Sequence, residues 1–203
     1  MLGFSGVLAA DNEASHPVIE NPLVLKWKDL EPDLMEYKFD ELLRKPLEAA
    51  YAQDMHLSLM IHVGPDCPIW LYYTRDVPRF YTDRKVDEAG KRVRRLDNRF
   101  PYYLDPIYKE SFYDLINAFG TYVENLPLKL RERILYIQSC EGAASDTVPY
   151  KGNPEKEEFV ISEEEWEEFR LQTWKLYKKN FPEIPILINT GDRLVGWAEQ
   201  PAD

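Results

Sequence analysis

Cysteine is nearly missing from this chain: two occur in 203 residues, Cys67 and Cys140. Neither sits in a Cys-x-x-Cys pair or a Cys/His cluster of metal-ligand spacing, which argues against a structural zinc site. Basic residues are the minority, 25 Lys and Arg against 36 Asp and Glu, for a formal charge of -11. A polyanion such as DNA would meet net repulsion over most of such a surface, so nucleic acid is not an expected partner. No apolar run reaches the ~18 residues of a membrane span, and the opening MLGFSGVLAA lacks the positive stretch of a signal peptide. Low-complexity segments, dividing linkers and long repeats are lacking too, so residues 1–203 read as one domain.

Apolar residues are plentiful at 44%, enough for a sizeable core. Aromatic residues reach 13%, with 13 Tyr, 9 Phe and 5 Trp, which serves either a Tyr-rich core or a surface that stacks flat ligands such as sugar rings. One local run departs from the acidic background. Asp83 to Arg95, DRKVDEAGKRVRR, is basic in its C-terminal half and suits either a solvated hairpin or contact with a sulfate or carboxylate on a substrate.

Short β-rich apolar runs alternate with longer amphipathic ones, the pattern of βαβ units around a parallel sheet. Five strands are read, at Leu2 to Leu8, Leu23 to Trp27, Leu57 to Val63, Ile134 to Gln138 and Ile184 to Asn189. Most are short and continuously apolar, as in strands covered on both faces. Asp105-Pro106 places a capping carboxylate before a proline at the first helical position, and Phe112, Leu115, Ile116, Phe119 and Val123 follow at helical spacing. Ser162 to Glu165 reads as a capping box for a helix carrying Trp166, Phe169, Thr173 and Leu176 or Tyr177 on one face. Asp40 to Gln53 is helical in pattern, but Pro46 predicts that the regular helix begins near Lys45. The connections from Gly64 to Asp105 and from Glu141 to Ile161 are long, and long connections after buried strands are usually functional.

Three segments together resemble the retaining (β/α)8-barrel glycoside hydrolases, the superfamily that includes the family 42 β-galactosidases. VLKWKDLEPDLMEYKFDELL, residues 24–43, looks like the second barrel strand with its Trp-x-x-Leu-Glu-Pro exit. LSLMIHVGPDCPIWLY, residues 57–72, resembles the third strand, and ILYIQSCEGAASDTVPYKG, residues 134–152, the fourth, ending on the acid/base glutamate. Many members carry Asn directly before that glutamate, where this chain has Cys140. The resemblance implies an α/β fold of the TIM-barrel type, apparently truncated after about five parallel strands. A whole barrel needs about 250 residues, and the seventh strand of such enzymes carries the nucleophile. The expected activity is hydrolysis of β-linked poly- or oligosaccharide by two carboxylates without a cofactor, with this chain alone inactive for lack of the nucleophile. The alternative is a non-catalytic carbohydrate-binding protein derived from a truncated barrel. A secreted or periplasmic setting is expected for the parent enzyme, and an open sheet edge would invite self-association.

Glu141 is the expected general acid/base: it follows an apolar strand that desolvates its carboxyl, and Gly142 allows a tight turn after it. His62, at the end of the third strand, suits a bond to a substrate hydroxyl or to a carboxylate, or a satisfied core position. Trp70 and the Tyr72-Tyr73 pair are candidates for sugar stacking, against loop packing, and Trp27, which finishes the second strand, is a substrate-binding candidate. Asp146, Tyr150 and Lys151 are placed beyond Glu141 as subsite candidates, and Asn189, at the end of the fifth strand, completes the substrate-binding set. Glu31 reads as structural from its Leu-Glu-Pro context, with a second catalytic carboxylate as the alternative. Cys67 and Cys140 read as two buried thiols, with a disulfide as the alternative.

Overall fold

The computed structural model of the protein describes residues 22–83, 85–86, 92–93, 99–143 and 147–189. Its strands are β1 (Leu23–Lys26), β2 (Leu57–His62), β3 (Arg79–Asp83), β4 (Lys85–Val86), β5 (Arg92–Val93), β6 (Arg99–Pro101), β7 (Ile134–Gln138), β8 (Asn153–Pro154) and β9 (Ile186–Leu187). The helices are α1 (Trp27–Leu30), α2 (Lys45–Ala52), α3 (Trp70–Tyr73), α4 (Pro106–Glu124), α5 (Leu128–Arg131) and α6 (Glu163–Asn180). The result is a mixed α/β fold around a four-stranded sheet in the order β1-β2-β7-β9, with every pairing parallel.

Three of the five strands expected from the sequence are β1, β2 and β7. The run Leu2 to Leu8 lies outside the described residues. The last expected strand contracts to Ile186–Leu187, paired through the Pro185 and Leu187 carbonyls, which accept from the Ile137 and Ser139 amides at 3.0 Å each. Trp27, expected to end β1, instead opens a helical turn whose Glu31 amide donates to its carbonyl at 2.9 Å.

Register decides what each face of the sheet meets. Leu25 pairs with Ile61, and Leu59 with Ile137; all four point into one hydrophobic core with Leu47 and Ala50 of α2, Phe112 and Phe119 of α4, and Phe169 and Tyr177 of α6. The alternate row runs Val24, Met60, Gln138, Leu187. Val24 is exposed, Gln138 half-buried, and Met60 buried outside that core. Helices therefore cover one face of the sheet through a shared core, and the strands follow one another in sequence order.

The helix ends form as their residues dictate. The Asp105 carboxylate accepts from the Ile107 and Tyr108 amides at 2.9 and 3.0 Å, two of the orphan donors of the first turn of α4. Ser162 and Glu165 form the reciprocal capping box of α6. A π-helical turn at Asp40–Arg44 precedes α2, and Pro46 lies in the first turn of α2.

The two long connections knit together. β3 pairs antiparallel with β6 and, on its other side, with β8 of the later connection, Thr82 opposite Pro154. Phe80 and Phe100, directly opposite, stack at 5.9 Å and bury against Tyr150 and Phe159. No helix among the described residues is long and apolar enough to cross a membrane.

Candidate active site

Parallel pairing brings the C-terminal ends of β1, β2 and β7 to one end of the sheet, and the connections that follow them carry the site residues. Lys26 is level with His62, and Met60 with Gln138, so Trp27, His62 and Glu141 all lie at this end. Each is held by different partners.

Glu141 is 2% exposed. Its Oε1 accepts from the Ser139 hydroxyl and, at 2.9 Å, from the Trp174 indole N–H. Its Oε2 accepts from Arg170 Nε at 3.3 Å. Burial raises the pKa of this carboxyl above its ordinary value, and the Arg170 charge, followed by the hydrogen bonds of Arg170 and Trp174, offsets part of the rise. Arg170 and Trp174 project from α6, and Arg170 also donates to the Asn189 carbonyl just after β9. The acid is thus tied to the helix layer. Sequence reasoning missed Arg170, although the signal was present: it occupies the apolar stripe of α6 between Phe169 and Thr173, where an arginine needs a buried counter-charge.

Gly142 follows Glu141 for a reason of space. A Cβ there would meet the Val148 carbonyl oxygen at 2.6 Å and the Trp166 ring at 2.9 Å.

His62 is half-buried and faces Asp66, Nδ1 to Oδ2 3.7 Å, while Lys28 and Lys26 reach Asp66 at 2.7 and 4.0 Å. Burial lowers the imidazole pKa, and the Asp66 charge opposes that. This group is more accessible than Glu141.

The remaining residues expected to bind substrate are placed as follows. Trp27 has no exposed surface; its indole donates to Glu31 Oε2 at 2.8 Å and its ring packs against Trp70, Tyr108 and Phe112. Trp70, 5% exposed, donates to the Glu31 carbonyl at 2.9 Å. The Tyr150 hydroxyl accepts from the Ile161 amide at 3.1 Å and packs its ring on Phe80. Their physical role here is to hold the Leu-Glu-Pro turn and the two long connections. Tyr72 is 7% exposed beneath the Arg99 guanidinium, 4.6 Å from its ring. The Lys151 carbonyl accepts from the Thr82 hydroxyl. Asp146 lies outside the described residues.

Glu31 is the second buried glutamate at this end. Its two oxygens are taken by the Trp27 indole and the Met35 amide, and burial raises its pKa. Cys67 and Cys140 are both buried free thiols, and burial pushes Cys67 up. Among the described residues no group of three or more His, Cys, Asp or Glu side chains is placed to hold a metal ion.

No family model matches the chain, and no curated protein matches it.

Proposed function

We propose that this chain is part of a (β/α)8-barrel glycoside hydrolase that acts on β-linked poly- or oligosaccharide by a retaining mechanism, with Glu141 as the general acid/base. Sequential parallel strands with helices on one face support the barrel over a doubly wound sheet, in which the strand order reverses and helices lie on both faces. The observation that carries the chemistry is a glutamate just beyond the C-terminal end of β7, buried so that its protonated form is favoured.

In this mechanism the neutral acid gives its proton to the leaving oxygen while a second carboxylate, about 5–5.5 Å away, attacks the anomeric carbon; the first group then deprotonates water. Both carboxylate oxygens are engaged, Oε1 by Ser139 and Trp174 and Oε2 by Arg170, so the proton is given up from a carboxyl whose contacts with α6 must loosen. No described residue is assigned as nucleophile, since Glu31 is committed to Trp27 and Met35.

In the full-length parent enzyme, Glu141→Gln is expected to lower turnover of alkyl β-glycosides by about 10²–10⁴-fold, the usual contribution of a general acid, and to spare glycosylation by activated aryl glycosides, which leave without a proton. Equal loss on both substrates would exclude the acid role.

The Arg170 ion pair favours a second reading, a non-catalytic carbohydrate-binding protein in which Glu141 holds α6 to the sheet. Under it, oligosaccharide binds but neither aryl nor alkyl glycoside is turned over, and Glu141→Gln changes stability without changing binding.

A further inference from the structure

Arginines in this acidic chain find carboxylates. Among the described side chains, Arg44 faces Asp40, Arg75 faces Glu110, Arg131 faces Glu183, Arg133 faces Asp54 and Arg170 faces Glu141. Arg79 and Arg99 have no carboxylate partner among the described residues, and the two sit together.

Strand alternation explains the pairing. β3 and β6 run antiparallel with Phe80 opposite Phe100, so these rings bury on one side and Arg79, Tyr81 and Arg99 share the other. Both guanidinium groups lie over the Tyr72 ring, at 5.8 and 4.6 Å from its centroid, and Arg79 also lies 4.8 Å from that of Tyr73. The aromatic faces fix the two cations in place without neutralising them. Tyr73 is 66% exposed, leaving a flat apolar ring beside the pair. The stretch from Arg79 to Arg99 holds eight basic and four acidic residues, the reverse of the chain as a whole.

Two half-buried guanidinium groups with no carboxylate partner among the described residues, side by side on paired strands, suit a planar or tetrahedral oxyanion, which Arg engages in fork geometry. We propose that Arg79 and Arg99 bind the sulfate or carboxylate substituent of an anionic carbohydrate, with Tyr73 stacking on the sugar ring that bears it. This names the substrate class of the site proposed above and rests on that reading. The ribbon is built from the connections that follow β2 and β7, so a charged substituent held there belongs to a sugar reaching the C-terminal end of the sheet.

Calorimetric titration of the whole chain tests this with a neutral oligosaccharide, its sulfated and uronic-acid counterparts, inorganic sulfate and single-stranded DNA. The anionic saccharides are expected to bind at least about tenfold more tightly than the neutral one, and Arg79→Gln or Arg99→Gln to remove that preference, as loss of a charge-assisted pair does. The sulfated and uronic-acid arms tell which anion is preferred. Arg99→Lys keeps the charge but not the fork, and is expected to weaken binding with an unchanged circular dichroism spectrum. Equal binding of neutral and anionic forms, untouched by these substitutions, would overturn the anion site and leave the glycosidase reading standing. Binding of sulfate with no saccharide would overturn the carbohydrate assignment together with that reading, and tighter binding of DNA than of any saccharide would overturn the ligand class.

Discussion

Glu141 and Arg170 form a buried pair in which each side chain makes the other tolerable. Burial alone raises the folded-state pKa of Glu141 above its ordinary 4.5, so the associated stability is fully present below that value and is lost as pH rises through the raised one. Arg170 limits the rise, because its charge favours the ionised carboxylate. Arg170→Met removes that support and leaves a carboxylate that folding must either bury charged or protonate. The expected cost is about 3–5 kcal/mol where the carboxylate is ionised, and it falls as pH drops through the raised pKa and the group becomes neutral. Urea midpoints measured across pH 5 to 8 check this, and a pH-independent cost would mean that the pair does not carry the effect. The same substitution frees the Asn189 carbonyl, so the end of β9 is expected to loosen with it.

Gly142 is constrained by close approach rather than by its backbone angles. With the Val148 carbonyl and the Trp166 ring where they are, Gly142→Ala forces a shift of backbone as well as side chain, for an expected loss of about 1–3 kcal/mol. A chemical melt within about 0.5 kcal/mol of wild type, the level of an ordinary surface change, would contradict the tight fit. The elements that carry local chemical signals are those that sequence makes legible. Asp105-Pro106, the Ser162 capping box and the Pro46 boundary each state a helix end in their own residues, and α4, α6 and α2 begin there. The three well-formed parallel strands were legible for the same kind of reason, as short apolar runs. Legibility failed where long-range contacts decide. Nothing local in Trp27 or Trp70 tells a sugar platform from a core ring, and the packing of Trp27 against α4 settles it as core. Pairing of the two long connections into a ribbon is also invisible locally, since β8 is two residues long and meets β3 only through the fold. Arg79 and Arg99 gain significance only from that ribbon, because their separation in sequence gives no hint that one Tyr72 ring lies under both.

Across the whole molecule, the sheet and the ribbon differ in how they can be assembled. β1 and β2 are joined through α2, whereas α4, α5 and β7 lie between Thr82 and its partner Pro154 in the chain. The β3–β8 closure is therefore expected to be a clasp that fastens late in folding, since closing so long a loop carries a chain-entropy cost that the preceding packing must first offset. Thr82 is buried, and its hydroxyl donates to the Lys151 carbonyl at 2.6 Å across that closure. Thr82→Val removes the donor and keeps the shape. A loss of about 1 kcal/mol is expected to appear almost wholly as unfolding that is about fivefold faster, with the refolding rate unchanged. Stopped-flow chevrons separate the two limbs, and slower refolding would place the clasp in the folding nucleus. That clasp also ties the strand that carries Arg79 to the connection after β7, so loosening of the Thr82–Pro154 pairing is expected to reach the proposed anion site through β3.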